Sequence, residues 1–328
     1  MPWHWTNNSC PVVRTHEPSI PACAYAICET PFASPLCMWS ATRSALAAAT
    51  APWYLGERNR TGLPMRLFVE SVGLLGPGLT GWTSSRQVLT GTVPYAPAEV
   101  VLAAPEALPQ AERRRTGKPV RLALFAGMEA LAASSRQPEA LATVFTSSAP
   151  DGQVIHELCT TLAGTDRQVS PTRFHNSVHN APAGYWSIAL RSQAASTSLC
   201  CFDCSFAAGL LEAGTQCLMQ KEAVLLVSYD VPYPEPLLSA RPTIGVLGAA
   251  LLLSPETSPA AFASIDLRLQ VDALTPSRMQ DAGLEALRAG NPTGRGLPLL
   301  HTLAGPSSAL VVIEYLNDTA LCVEVEPC

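Results

Sequence analysis

The sequence predicts an α/β fold in which helices cover a mixed or parallel sheet. From Met65 onward, short aliphatic and β-branched runs alternate with longer stretches whose apolar residues recur at helical spacing. Several short runs, AVLLVSY at 223–229 among them, are almost wholly apolar, as strands buried on both faces are. The composition suits such a core: of 328 residues 48% are hydrophobic and 14% charged.

Residues 1–64 stand apart. They hold Cys10, Cys23, Cys28 and Cys37, four of the six tryptophans and many prolines, with no sustained periodicity. The expectation is a poorly ordered N-terminal extension, or a start assigned too far upstream with Met65 as the true one. Regular pattern begins with a strand at Arg66–Val72 that runs into a glycine turn. A short helix is expected at Trp82–Leu89 and a longer one at Pro119–Ala133. Leu141–Thr146 reads as a strand. Asp151–Leu162 reads as a helix with Asp151 as its cap. Phe174–Leu190 is expected to be helical in part. The small-residue stretch AASTSLCCF then leads into a buried helix at Ser205–Gln216. Strands follow at Ala223–Tyr229, Gly248–Leu253 and Ala263–Leu269. A helix at Arg278–Arg288 and weak strands at Ala309–Tyr315 and Leu321–Val325 end the chain. The domain expectation is therefore an extension (1–64), a main domain (65–271) and a short C-terminal addition (272–328).

The net charge of −5 and the shortness of the one basic run, Arg113-Arg114-Arg115 with Lys118, argue against nucleic-acid binding. No run approaches the roughly 18 apolar residues of a membrane span, and the first residues lack the pattern of a secretory signal. Eleven irregularly spaced cysteines in a long chain suggest reduced thiols and a cytoplasmic protein.

Three groups of residues carry possible chemistry. Cys201 and Cys204 form a C-x-x-C at the head of the Ser205 helix, where the helix dipole can stabilise a thiolate. His175 and His179, four apart, share one face if the segment is a single helix. Two such pairs can bind zinc, but this C-x-x-C lies in a strand-to-helix turn whose thiols are expected to diverge, so no metal is assigned. Gly76-x-Gly78-x-x-Gly81 follows a strand as a dinucleotide fingerprint does, yet Pro77 stiffens it and no acidic residue closes a second strand at the right distance.

Three stretches together resemble the ketoacyl synthases: Val72-Gly73-Leu74-Leu75-Gly76-Pro77-Gly78-Leu79 with Leu89-Thr90-Gly91; SPTRFHNSVHNAPAGYWSIAL at 170–190; and STSLCCFDCSFAAGLLEAG at 196–214. With PYPEPL at 232–237 they look like the short chain-length factors of aryl polyene and type II polyketide pathways. The resemblance spans about Met65 to Leu316. It implies one half of a thiolase-type αβαβα sandwich, with helices on both faces of a mixed sheet. It also implies a non-catalytic subunit that pairs with a full ketosynthase elongating acyl chains on an acyl carrier protein. The chain after the Ala263 strand is too short for a second half, and only His301 follows Cys204, in the apolar setting LPLLHTLAG.

The matched motifs place Phe202, Asp203, Cys204 and Phe206 along the acyl channel with His175, Asn176 and His179 nearby. Asp203 fits the nucleophile position about as well as Cys204, and an aspartate cannot carry a thioester. A His–Asp203 pairing is one expectation for this pocket. No catalytic residue and no cofactor is expected. The alternatives are a thioester acyltransferase or decarboxylase using Cys204 with His175 or His179 as base, and a nicotinamide-dependent oxidoreductase using the glycine turn.

Overall fold

The computed structural model of the protein describes residues 65–271, 274–316 and 318–328; the extension proposed at 1–64 lies outside the described residues. The first strand, β1 (Met65–Gly76), turns at Gly78 (φ 69°) into the two-residue β2 (Leu79–Thr80). Helix α1 (Trp82–Leu89) follows, then a long irregular connection and α2 (Lys118–Ala132), which has proline in its first turn. Strand β3 (Ala142–Thr146) leads to α3 (Gly152–Ala163), whose first amides, those of Gln153 and Val154, donate to Asp151 as expected of a cap.

The stretch expected to be partly helical forms two separate helices, α4 (Pro171–Asn176) and α5 (Ala181–Leu190). The break has a cause. Pro182 has no N–H to donate and would clash with the preceding turn inside a continuous helix, so it sits in the first turn of a new one. Strand β4 (Ser196–Leu199) has a short polar sequence with no strand pattern of its own. After it come α6 (Ser205–Gln220), β5 (Val224–Asp230), β6 (Leu247–Ser254) and β7 (Ala263–Val271). Helices α7 (Ala282–Gly290) and α8 (Leu297–Ala304) precede the final hairpin, β8 (Ala309–Glu314) and β9 (Thr319–Pro327).

These strands form one mixed sheet in the order β4-β3-β5-β6-β1-β7-β9-β8, with β2 attached to β1. Strands β4, β3 and β5 run parallel and the remaining neighbours antiparallel. Helices α2 and α5 cover one face, around Leu122, Phe145 and Trp186. Helices α6, α7 and α8 cover the other, around Leu67, Phe206 and Leu300. Both central helices press hard on the sheet. A Cβ on Gly73 would lie 2.0 Å from the Ala126 carbonyl oxygen, and one on Gly209 would lie 2.6 Å from Thr146 Cγ2. Past β1 no helix covers the α2 face among the described residues, and ion pairs Arg66–Asp266 (2.6 Å) and Arg268–Glu324 (3.0 Å) dress it for water.

Candidate functional site

The parallel strands β3 and β5 end side by side, and what lies past their carboxyl ends is built around Asp230. This carboxylate is 3% exposed. Oδ1 accepts from the Ser148 N–H (2.8 Å) and the Ser147 hydroxyl (3.2 Å). Oδ2 accepts from the Thr293 N–H (3.0 Å) and the Thr293 hydroxyl (2.8 Å). Burial pushes its pKa up, and the four neutral donors pull it back only in part. Asp230 thus ties the end of β3 to the 3₁₀ turn Thr293–Gly296 that leads into α8. The Ser147 carbonyl in turn bonds His179 Nε2 (3.1 Å), and the Ser148 carbonyl accepts from the Cys200 thiol (3.1 Å).

The turn that joins β4 to α6 rests on this base. Residues Phe202–Cys204 form a single 3₁₀ turn in which the Cys204 N–H donates to the Cys201 carbonyl (2.9 Å). Ser205, fully buried, holds the turn from below: its hydroxyl accepts from the Cys201 N–H (3.0 Å) and donates to the Phe202 carbonyl (2.7 Å). Phe202 takes a left-handed φ of 52° and is 58% exposed. Phenylalanine rarely adopts that conformation, so the surroundings must hold it. Arg241 does so. Its guanidinium carbon stands 3.5 Å from the centre of the Phe202 ring, while Nη2 binds Asp203 Oδ1 at 2.8 Å. Phe202, Asp203, Arg241, Thr243, Asn291 and Arg295 border a cleft of about 250 Å³.

Of the residues expected at the channel, Phe202, Asp203 and Cys204 come together in this turn. His179 lies below it on the Ser147 carbonyl, and Asp203 takes Arg241 rather than a histidine as its partner. His175 and His179 do not share a helix face, because α4 ends at Asn176 between them, and His175 is exposed. Asn176 is buried and committed on both sides of its amide, donating to the Arg115 carbonyl (2.8 Å) and accepting from the Tyr185 hydroxyl (3.1 Å). Phe206 is 1% exposed, its ring against Gly296. His301 Nδ1 meets the Leu89 carbonyl at 2.6 Å, across from α1.

Cys201 and Cys204 both push up the pKa of Tyr315, behind the larger effect of its burial. Burial holds the Cys204 thiol above its usual range, and the nearby Cys201, Asp203 and Glu314 reinforce this against Arg295. The helix start therefore does not yield a ready thiolate. At the glycine turn, the carboxylate of Glu129 takes the Leu74 N–H (2.8 Å) and the Trp82 N–H at the head of α1. A dinucleotide phosphate would need that place, and the chain's own carboxylate fills it. Arg241, Asp230 and Thr293 escaped the sequence reading. Only Asp230 carried a signal, an acidic residue closing an apolar strand.

A groove of about 510 Å³ runs between α5 and β4, lined by His179, Ala183, Gly184, Ser187, Ser196 and Ser198. The Thr143 N–H donates to the Ala195 carbonyl (3.0 Å) and the Ser147 N–H to the Leu199 carbonyl (3.4 Å). By alternation, Ser196 and Ser198 turn their backbone groups to the open side of β4, where no strand pairs among the described residues.

No curated protein matches the chain. Solved structures do. A chain from the ketosynthase ApeO in complex with its chain length factor ApeC, from Xenorhabdus doucetiae, is 22% identical at a TM-score of 0.60, over 79% of this chain and 98% of that one. One from the ishigamide ketosynthase/chain length factor is 14% identical at 0.58, over 81% and 99%. One from AntDE:AntF, a type II polyketide synthase acyl-carrier protein in complex with its ketosynthase bound to the hexaketide, is 10% identical at 0.60, over 81% and 100%. At these identities the likeness establishes the thiolase-like ketosynthase fold. The family model for the beta-ketoacyl synthase N-terminal domain matches residues 82–310, most of the chain, and the chain belongs to that family.

Proposed function

We propose that this chain is a chain-length-factor subunit without condensing activity. It pairs with a full ketosynthase and shapes the channel for an acyl chain carried on an acyl carrier protein, in polyketide, aryl polyene or fatty-acid-like synthesis. The observation that carries the reading is the Asp203–Arg241 pair at the turn before α6. Condensation needs a free thiolate and donors aimed at a developing oxyanion. Here an arginine of the same chain closes over the turn, stacked on Phe202, and the adjacent thiol is held protonated by burial. The open edge of β4 and the groove beside it offer the ketosynthase a strand to extend. The similar solved structures support the same reading: two of them are ketosynthases with chain length factors.

Co-expression with a full ketosynthase from the same organism, followed by a single-tag pull-down and a size-exclusion mass, tests the pairing. A stoichiometric heterodimer is expected; a stable species that ignores the ketosynthase overturns it. The C204A variant separates the roles. In a reconstituted reaction with carrier protein the complex should elongate as before. An acyl adduct on Cys204, with elongation lost in the variant, would establish the thioester-handling enzyme instead.

A further inference from the structure

The C-x-x-C of the turn has no part in that role, yet one hydrogen-bonded turn joins its two free cysteines. We propose that Cys201 and Cys204 form a reversible disulfide that locks the turn bearing Phe202 and Asp203. The Cys204 N–H to Cys201 carbonyl bond (2.9 Å) closes a four-residue turn. Such a turn brings its end Cα atoms within about 7 Å, against a usual disulfide span of about 4.4–6.8 Å. The two cysteines flank the residues Phe202 and Asp203 of one 3₁₀ turn, and both thiols are free. Both are partly exposed, so a small thiol reagent reaches them. The neighbouring Cys200 is a poorer partner, because its thiol is turned to the Ser148 carbonyl (3.1 Å).

The oxidant is a low-molecular-weight disulfide such as glutathione disulfide. One cysteine thiolate attacks a glutathione sulfur, and the S–S bond breaks to release one glutathione thiolate. The second cysteine, deprotonated, attacks the protein-bound sulfur and releases the other. Two electrons pass from the cysteine pair to glutathione, and the two cysteine protons end on the two glutathione thiols. Burial raises both thiols, so exchange accelerates as the pH rises. The bond would fix the segment whose phenylalanine and aspartate Arg241 grips, placing the oxidation state at the rim of the cleft. None of this depends on pairing with a ketosynthase.

The test uses the full chain equilibrated in a glutathione redox series, alkylated and digested with trypsin. The peptide 192–221 contains Cys200, Cys201, Cys204 and Cys217 and no internal cleavage site. The expected product is an internal Cys201–Cys204 link, kept in C200S and lost in both C201S and C204S. Phenylarsine oxide, which bridges two close thiols without oxidation, should bind the reduced wild-type chain and C200S, and lose this peptide as its target in the other two variants. Full alkylation of the peptide at every redox poise, a link that requires Cys200, or no arsenical capture at this peptide overturns the proposal.

Discussion

Gly209 makes the contact between α6 and the sheet quantitative. A Cβ at this position would lie 2.6 Å from Thr146 Cγ2, 3.0 Å from Thr146 Cβ and 3.0 Å from Leu226 Cδ1. Carbon atoms rest at about 3.5–4.0 Å, so the closest contact is short by about 1 Å. Thr146 cannot yield by rotating. It is fully buried and β-branched, and its hydroxyl is bonded to the Ser205 carbonyl at 2.8 Å. Helix and strand must part, at a cost of about 1–3 kcal/mol for overpacking. Alanine also gains up to about 1 kcal/mol over glycine in a helix interior, which would mask part of the loss. Gly184 of α5 supplies the control, for nothing lies within 4 Å of a Cβ there. G184A should therefore gain the propensity alone, about 0.5–1 kcal/mol, and the two variants should differ by about the overpacking penalty of 1–3 kcal/mol. Urea unfolding of wild type, G209A and G184A at matched slope measures the difference. Equal shifts in the two variants would refute the close packing of α6. Gly184 also lines the β4 groove, so G184A should weaken the pull-down of the ketosynthase while stabilising the chain by itself.

The remaining expectations address the edge, the buried carboxylate and acid stability. S198P removes an N–H that faces away from β3, so the chain should unfold at the wild-type urea midpoint yet lose the ketosynthase in the pull-down; retained pairing would rule out strand extension at β4. D230N turns an amide NH₂ toward either the Ser148 or the Thr293 backbone N–H, neither of which can reverse, and should cost about 1–3 kcal/mol in urea unfolding. An unchanged midpoint would mean that the four-donor cage is not formed. Glu70, buried on β1, is held below the usual carboxylate range chiefly by its hydrogen bond to Arg136, paired at 2.6 Å. A carboxyl lowered in the folded state lends stability above its unfolded pKa and loses it as the pH falls through the folded one. The wild type should therefore lose stability in acid faster than E70Q, and parallel acid profiles would count against the pairing.

The sequence by itself determined the regular elements and their kind. A continuous apolar run marked the strand at β5, apolar residues at helical spacing marked the helix at α2, and a capping aspartate marked the start of α3, because these signals are local and each element's burial is written in its own residues. The glycine turn, the nucleophile-turn run and the family followed from contiguous motifs for the same reason. Tertiary structure decided the rest. Strand β4 exists because β3 supplies its partner, not because its own serines favour extension. Above all, the gripping of Phe202 and Asp203 by Arg241 joins residues 38 positions apart, and the Asp230–Thr293 tie joins residues 63 apart. Neither leaves a periodic trace, since an ion pair or a buried hydrogen bond constrains two side chains in space and nothing in the sequence between them.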